Sequence, residues 1–269
     1  MRNKGRLFKK LYLQGESSHS IAKKFNLNKN TVLFYLKKVN LQRRSKSVAA
    51  KLGVQKGRIP IKKHKISASS QKLTPDKAYV LGVLAGDGWL WYKKKVRTYQ
   101  VGFEATDRDF AIQFFNSLRN VYKIKPSFKK RKRNVSRWKD LYSIKLCSKE
   151  ACDDLLKYDS KSFKTKKWRV PFIIKRASPI LKSRYLKGFF DSEGSVDLST
   201  KRVVGTSSNI KGLKEIQILL FNLGIKSAIN KSTKSFNLKI RDSKSISLFS
   251  KKVNFSIKRK VVRLKLLTS

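Results

Sequence analysis

Two short stretches constrain the fold of this chain more than anything else in it: AYVLGVLAGDG (78–88) and RYLKGFFDSEG (184–194). Each reads as an apolar helix running into an acid followed at once by glycine. Small residues stand four apart on both, Gly82 and Gly86 on the first, Gly188 and Ser192 on the second. Positions i and i+4 share a helix face, so each helix offers a strip almost bare of side chains. Glycine inside a helix costs up to about 1 kcal/mol against alanine, so such strips need a packing reason. Two facing strips let helix backbones approach closely. The terminal acids, Asp87 and Glu193, are then doubly misplaced: they sit at negative helix ends, and close packing brings them together. A divalent cation held by oxygen ligands relieves both penalties.

The two stretches open two copies of an internal repeat, roughly Pro75–Tyr158 and Pro179–Asn254. Alternating, strand-like sequence follows each: TYQVGFEAT (98–106) in the first, SVDLS (195–199) and RVVGTSS (202–208) in the second. Amphipathic helices come next, over 107–122 and 209–224. A basic two-strand stretch then ends in LYSIKLCS (141–148) or SFNLKIRD (235–242), and a last helix closes each copy over 149–158 and 243–254. The expected fold is α+β: two pseudo-symmetric αββαββα half-domains, over 74–160 and 179–269, joined by an inter-repeat linker at 161–178.

Charge identifies the partner. The 269 residues include 66 Lys and Arg against 16 Asp and Glu, a formal net charge of +50. Such an excess, spread along the chain, repels itself unless a polyanion accompanies it, and suits a long nucleic-acid groove. No apolar run approaches the roughly 20 residues of a membrane span, so no membrane partner is expected. No apolar signal core follows the basic start, and the two cysteines, Cys147 and Cys152, are too few for a disulfide framework. These features predict an intracellular, cytoplasmic protein. With His19 and His64 the only histidines, no zinc cluster can be built, and a metal would need oxygen ligands.

The first 45 residues read as three short helices. A serine cap opens the second, and a tight turn around Asn26–Asn28 leads into the third, the pattern of a helix-turn-helix. Asn28, Lys29, Asn30 and Thr31 at the start of that third helix are the candidate base readers, with Ile21 and Val32 locking the helix pair. Residues 46–73 are basic, without an acid, and read as a linker.

VLGVLAGDG (80–88) and LKGFFDSEG (186–194) resemble the paired motifs of single-chain LAGLIDADG homing endonucleases. The resemblance covers about 74–254, including the repeat order. It implies a saddle of strands over the DNA major groove and hydrolysis of both strands by a monomer at a long, partly asymmetric duplex site. It also implies a divalent metal, Mg²⁺ or Mn²⁺, bound by Asp87 and Glu193, with Gly86 and Ser192 beside them in the metal-site set. An earlier motif acid of the family is matched by Asp191 but replaced by Ala85 in the first copy. Lys145 and Lys239, in corresponding last strands, are the candidates for polarising solvent or the scissile phosphate, and Glu104 falls where the family often has a polar residue beside the metal. Tyr99, Gln100, Lys129, Arg131, Arg133 and Arg137 are the candidate DNA contacts on strands. Two other functions fit the same residues: an intron maturase binding RNA, and a catalytically inactive regulator. Retention of both motif acids argues against the regulator.

Overall fold

The computed structural model describes residues 2–57, 66–93, 98–132, 139–158 and 167–268. The chain divides into two compact units, Met1–Lys62 and Lys63–Ser269. Arg133 and Arg137 lie outside the described residues. Among those residues no helix is long and apolar enough to cross a membrane.

The first unit is helical: α1 (Arg2–Leu13), α2 (Ser18–Lys24), α3 (Lys29–Lys38) and α4 (Lys46–Gln55). Its core is Phe8, Tyr12, Ile21, Ala22, Val32 and Leu36, the inward stripe of α1–α3. Ser17 caps α2 by accepting from the Ser20 amide, and Asn26, at φ 50°, turns the chain towards α3. The expected linker over 46–73 is corrected at both ends. Ser45 caps a further helix, α4, and beyond it Lys56 Nζ donates to the Gln14 carbonyl at 3.0 Å. At the other end, Ile66 and Leu73 pack on the core of the second unit, around a short turn of helix, α5 (Ala68–Gln71).

The second unit contains the repeat. Its first half runs α6 (Pro75–Ala85), β1 (Trp89–Lys93), β2 (Thr98–Ala105), α7 (Arg108–Tyr122), β3 (Ser127–Arg131), β4 (Leu141–Cys147) and α8 (Lys149–Leu156). A short helix, α9 (Phe172–Lys175), leads into the second half. That half runs α10 (Pro179–Glu193), β5 (Gly194–Asp197), β6 (Arg202–Ser207), α11 (Ile210–Asn222), β7 (Ala228–Lys231), β8 (Phe236–Ile240) and α12 (Ser243–Lys252). A final helix, α13 (Lys258–Lys265), follows. The two sheets are antiparallel and ordered alike, β1-β2-β4-β3 and β5-β6-β8-β7. The α+β class and the repeated αββαββα order are therefore as expected.

The stretch expected to be an inter-repeat linker is built into the second half from Lys167 onward. Trp168 is buried, accepts from Asn209 Nδ2 through its carbonyl at 2.6 Å, and lies against Gly212, where a Cβ would come within 2.6 Å of the indole. An aromatic side chain seated in a helix groove carries apolar burial that a tether does not.

One core joins both halves, and α6 and α10 form its spine. A Cβ at Gly82 would stand 2.0 Å from the Tyr185 carbonyl oxygen, and one at Gly188 would stand 2.2 Å from that of Tyr79. The two helices touch backbone to backbone, as their small-residue strips predict. Gly82→Ala should therefore destabilise the protein by about 3 kcal/mol or more, since the obstruction is main chain and cannot rotate away; a denaturant melt measures it.

Candidate active site between the paired helices

The spine delivers the two motif acids to one place. Helix α6 ends at Ala85 with Gly86 as its cap, so Asp87 stands just beyond it, whereas α10 runs through Glu193. Gly86 abuts Ser192: a Cβ there would lie 2.4 Å from the Ser192 Cβ and 3.1 Å from Glu193 Cγ. Asp87 is open to solvent and Glu193 half-buried, yet dense surrounding protein raises both carboxyl pKa values. For Glu193 desolvation acts first and the Asp87 charge second, lifting it to about 7, while Lys260 pulls it back. Desolvation also raises Asp87, against the opposing pull of Lys260. The Asp87 contribution to Glu193, second to burial, is the like-charge crowding that the motif spacing foretold.

Lys260, on α13, is the residue that sequence reasoning missed. It is 5% exposed, and its Nζ donates to the carbonyls of Phe190 at 3.2 Å and Asp191 at 2.7 Å, in the last turn of α10. An ammonium there offsets the negative helix end. Burial lowers its pKa to about 8 against the raising effect of Asp191 and other acids. Among the described residues the first copy shows no counterpart of α13, so the repeat carried no signal for it.

Asp191, the second motif's extra acid, points elsewhere. It is 1% exposed, accepting from Tyr79 Oη at 2.8 Å and from the Ser256 amide at 2.7 Å, so it ties α10 to α6 and to the segment before α13. Burial raises its pKa while those hydrogen bonds lower it.

The sheets carry a symmetric lysine pair. Trp89 faces Gly102, Gly102 faces Lys145, and Lys145 faces Ser127. In the second sheet Ser195 faces Val204, Val204 faces Lys239, and Lys239 faces Ala228. Trp89 and Ser195 each stand two residues after a motif acid, so Lys145 and Lys239 hold equivalent places. Directly opposed residues share a face of the sheet. Both lysines therefore lie on the face away from Phe103, Ile144, Leu238 and Ile240, which enter the core.

Residues 181–254 match the family of LAGLIDADG-like domains. The homing endonuclease I-WcaI, solved bound to its DNA recognition sequence, superposes with a TM-score of 0.52 at 17% identity, over 84% of this chain and 96% of that one. I-DmoI in complex with DNA and Ca gives 0.52 at 17% identity, over 74% of this chain and 99% of the other. Residues 181–254 thus carry a LAGLIDADG-like domain, and the fold around it is that of these solved endonucleases. An uncharacterized protein of Methanocaldococcus jannaschii is 29% identical to this chain over 216 residues, 73% of each. A glutamine–fructose-6-phosphate aminotransferase of the same organism is 29% identical over 201 residues, 71% of this chain. The chain spans 17% of that enzyme's length.

The remaining sequence candidates separate by face. Gln100, Lys129 and Arg131 lie on the exposed face with Lys145, and so does Glu104, whose carboxylate is 3.8 Å from Arg131. Tyr99 does not. It opposes Tyr92, packs edge-on against it at 4.9 Å between centroids, and points to the other face. Strand period two puts neighbouring Tyr99 and Gln100 on opposite sides, so Tyr99 is withdrawn as a base reader. Asn28 is also spoken for, because its Oδ1 caps α3 by accepting from the Asn30 amide at 2.8 Å. Lys29 and Asn30 remain exposed and Thr31 half-buried. The second sheet adds polar side chains on its exposed face that were not expected: Arg202, Thr206, Asn230 and Asn237.

The raised Glu193 pKa has a sign that can be checked. Because the folded value lies above the unfolded one, the group lowers stability as pH rises from about 4.5 to about 7, and the full loss persists above that window. In chelator-treated protein, Glu193→Gln should gain thermal stability relative to wild type across that window, with the difference levelling off at higher pH. Parallel melting curves at all pH values would contradict it.

Proposed function

We propose that the chain is a site-specific, double-strand DNA endonuclease that depends on a divalent metal, Mg²⁺ or Mn²⁺, and acts as a monomer. The observation that carries this reading is the pair of motif acids, Asp87 and Glu193, brought together at the ends of helices in backbone contact. Among the described residues no cluster of three His, Cys, Asp or Glu side chains could hold a metal. The two carboxylates of Asp87 and Glu193 fit instead a hard cation such as Mg²⁺, which binds one or two carboxylates and fills its shell with water and substrate phosphate. Asp87 and Glu193 would hold the ion, with Gly86 and Ser192 forming the adjoining backbone. When bound, it would activate water and stabilise charge building on the scissile phosphate.

The chain's own groups supply the rest. Lys145 and Lys239 would present one ammonium per half towards a phosphate or its attacking solvent. Lys260 holds the end of α10 and moderates the repulsion between the acids. Gln100, Lys129 and Arg131, with Arg202, Asn230 and Asn237 of the other sheet, would contact groove edges and phosphates. In the helical unit, Lys29, Asn30 and Thr31 at the start of α3 are suited to a second DNA contact, in the manner of a helix-turn-helix. I-DmoI and I-WcaI, both solved on DNA, support a duplex partner in preference to folded RNA.

Asp87→Asn and Glu193→Gln should each abolish double-strand cleavage of a duplex selected from a randomised library in Mg²⁺, while leaving binding within a few-fold of wild type. Loss of binding by correctly folded variants would count against the catalytic assignment. Removing residues 1–57, the whole helical unit, should weaken binding much more than it slows turnover of bound DNA. Single-turnover cleavage at saturating and limiting enzyme separates the two effects.

A further inference from the structure

The exposed faces of the two sheets match in register but differ in chemistry. On β1 the outward positions are Trp89 and Trp91; the equivalent positions on β5 are Ser195 and Asp197. The two indoles stack on each other, with centroids 4.5 Å apart and planes 28° apart. Trp91 is 46% exposed. The sheet is cut to receive them: at Gly102 a Cβ would stand 2.3 Å from Trp89 Cζ2, so only glycine leaves room for the ring. Lys145 Nζ lies 5.7 Å from the Trp89 ring centroid, and Lys93 Nζ lies 5.5 Å from that of Trp91. An apolar surface is thus held open on a face that also carries Lys129, Arg131 and Lys145, which suit phosphates, with Gln100 and Glu104 among them. Asp197, by contrast, is occupied by Ser199, Thr200 and Arg202.

We infer that Trp89 and Trp91 form an apolar specificity element that packs against thymine methyl groups in the DNA major groove; this rests on the duplex-DNA reading above. Among the groups that base pairs expose in that groove, the C5-methyl of thymine is the one apolar group that projects as a carbon, among hydrogen-bond donors and acceptors. A stacked indole pair offers wide apolar edges with a single N–H donor each, so it rewards methyl groups and tolerates few alternatives. The basic side chains on the same face complement the flanking phosphates and keep the rings at groove depth. The second half, with Thr206, Asn230, Asn237 and Arg202 at its surface, reads by hydrogen bonds instead. The two half-sites differ in kind: a thymine-bearing one under the first sheet, and one recognised through polar edges under the second.

The test uses the full chain. Duplexes retained in Ca²⁺ are selected from a randomised library, and the consensus is remade with deoxyuridine replacing thymine in one half-site at a time. Deoxyuridine keeps every hydrogen-bonding group and removes only the methyl. Affinity should fall roughly fourfold per critical methyl in one half-site, the effect of withdrawing one buried CH₂-sized group, and stay unchanged in the other. Trp91→Ala should abolish this sensitivity, and Trp91→Phe should retain it. A consensus without thymine, deoxyuridine tolerated in both halves, or undiminished sensitivity in Trp91→Ala would overturn the assignment while leaving the DNA reading intact. Failure to recover any duplex would overturn that reading, and the assignment with it.

Discussion

The second unit depends on main chain meeting main chain where α6 crosses α10. Gly82 lies against the carbonyl of Tyr185 and Gly188 against that of Tyr79, so neither position accepts even a methyl group. Helices separated by ordinary side chains run 8–10 Å apart, which would spread the ends that carry Asp87 and Glu193. The site is thus a consequence of packing: the contact that closes the core also forces two carboxylates together in a chain otherwise dominated by positive charge. The free energy lost to that repulsion is held in place by the apolar core around it, which includes Leu81, Leu84, Phe189 and Phe190.

Much of this was legible because close helix packing demands small residues at fixed spacing, and spacing survives in a single sequence. The half-domain order was legible for the same reason, since each strand and helix has a counterpart in the other copy. What was lost lay outside periodicity. Lys260 belongs to a helix with no partner in the repeat among the described residues, and within the run KRK (258–260) nothing separates the buried lysine from its exposed neighbours. Tyr99 and Gln100 sit side by side in a strand whose inward phase depends on pairing with β1, which the sequence alone does not specify. Asn28 was misjudged because cap and base reader draw on the same residue types.

The hidden helix also explains how the halves are held in one orientation. Arg259 donates to both oxygens of Asp107, at 2.8 and 2.7 Å, and the Lys258 amide donates to Asp109. Asp107 stands at the cap position of α7 yet makes no capping hydrogen bond there. The Arg259 guanidinium keeps its pKa low, so the pair stays charged. Asp191 adds a third tie through the Ser256 amide. Residues 256–260 therefore bind α7 of the first half and α10 of the second at once, beside the motif acids.

That strap has a temporal consequence. The ribosome makes a protein from its N-terminus, and domains generally fold as they emerge. The first half can form its sheet early, but Asp107, Asp109 and the last carbonyls of α10 wait for residues 256–260, which are made after both motifs. Until Lys260 arrives, the buried end of α10 lacks a donor and the two motif acids lack their nearest compensating charge. The paired-helix site consequently matures only once residues 256–260 have emerged, and a nascent chain stalled before residue 256 would carry both motifs without their finished surroundings.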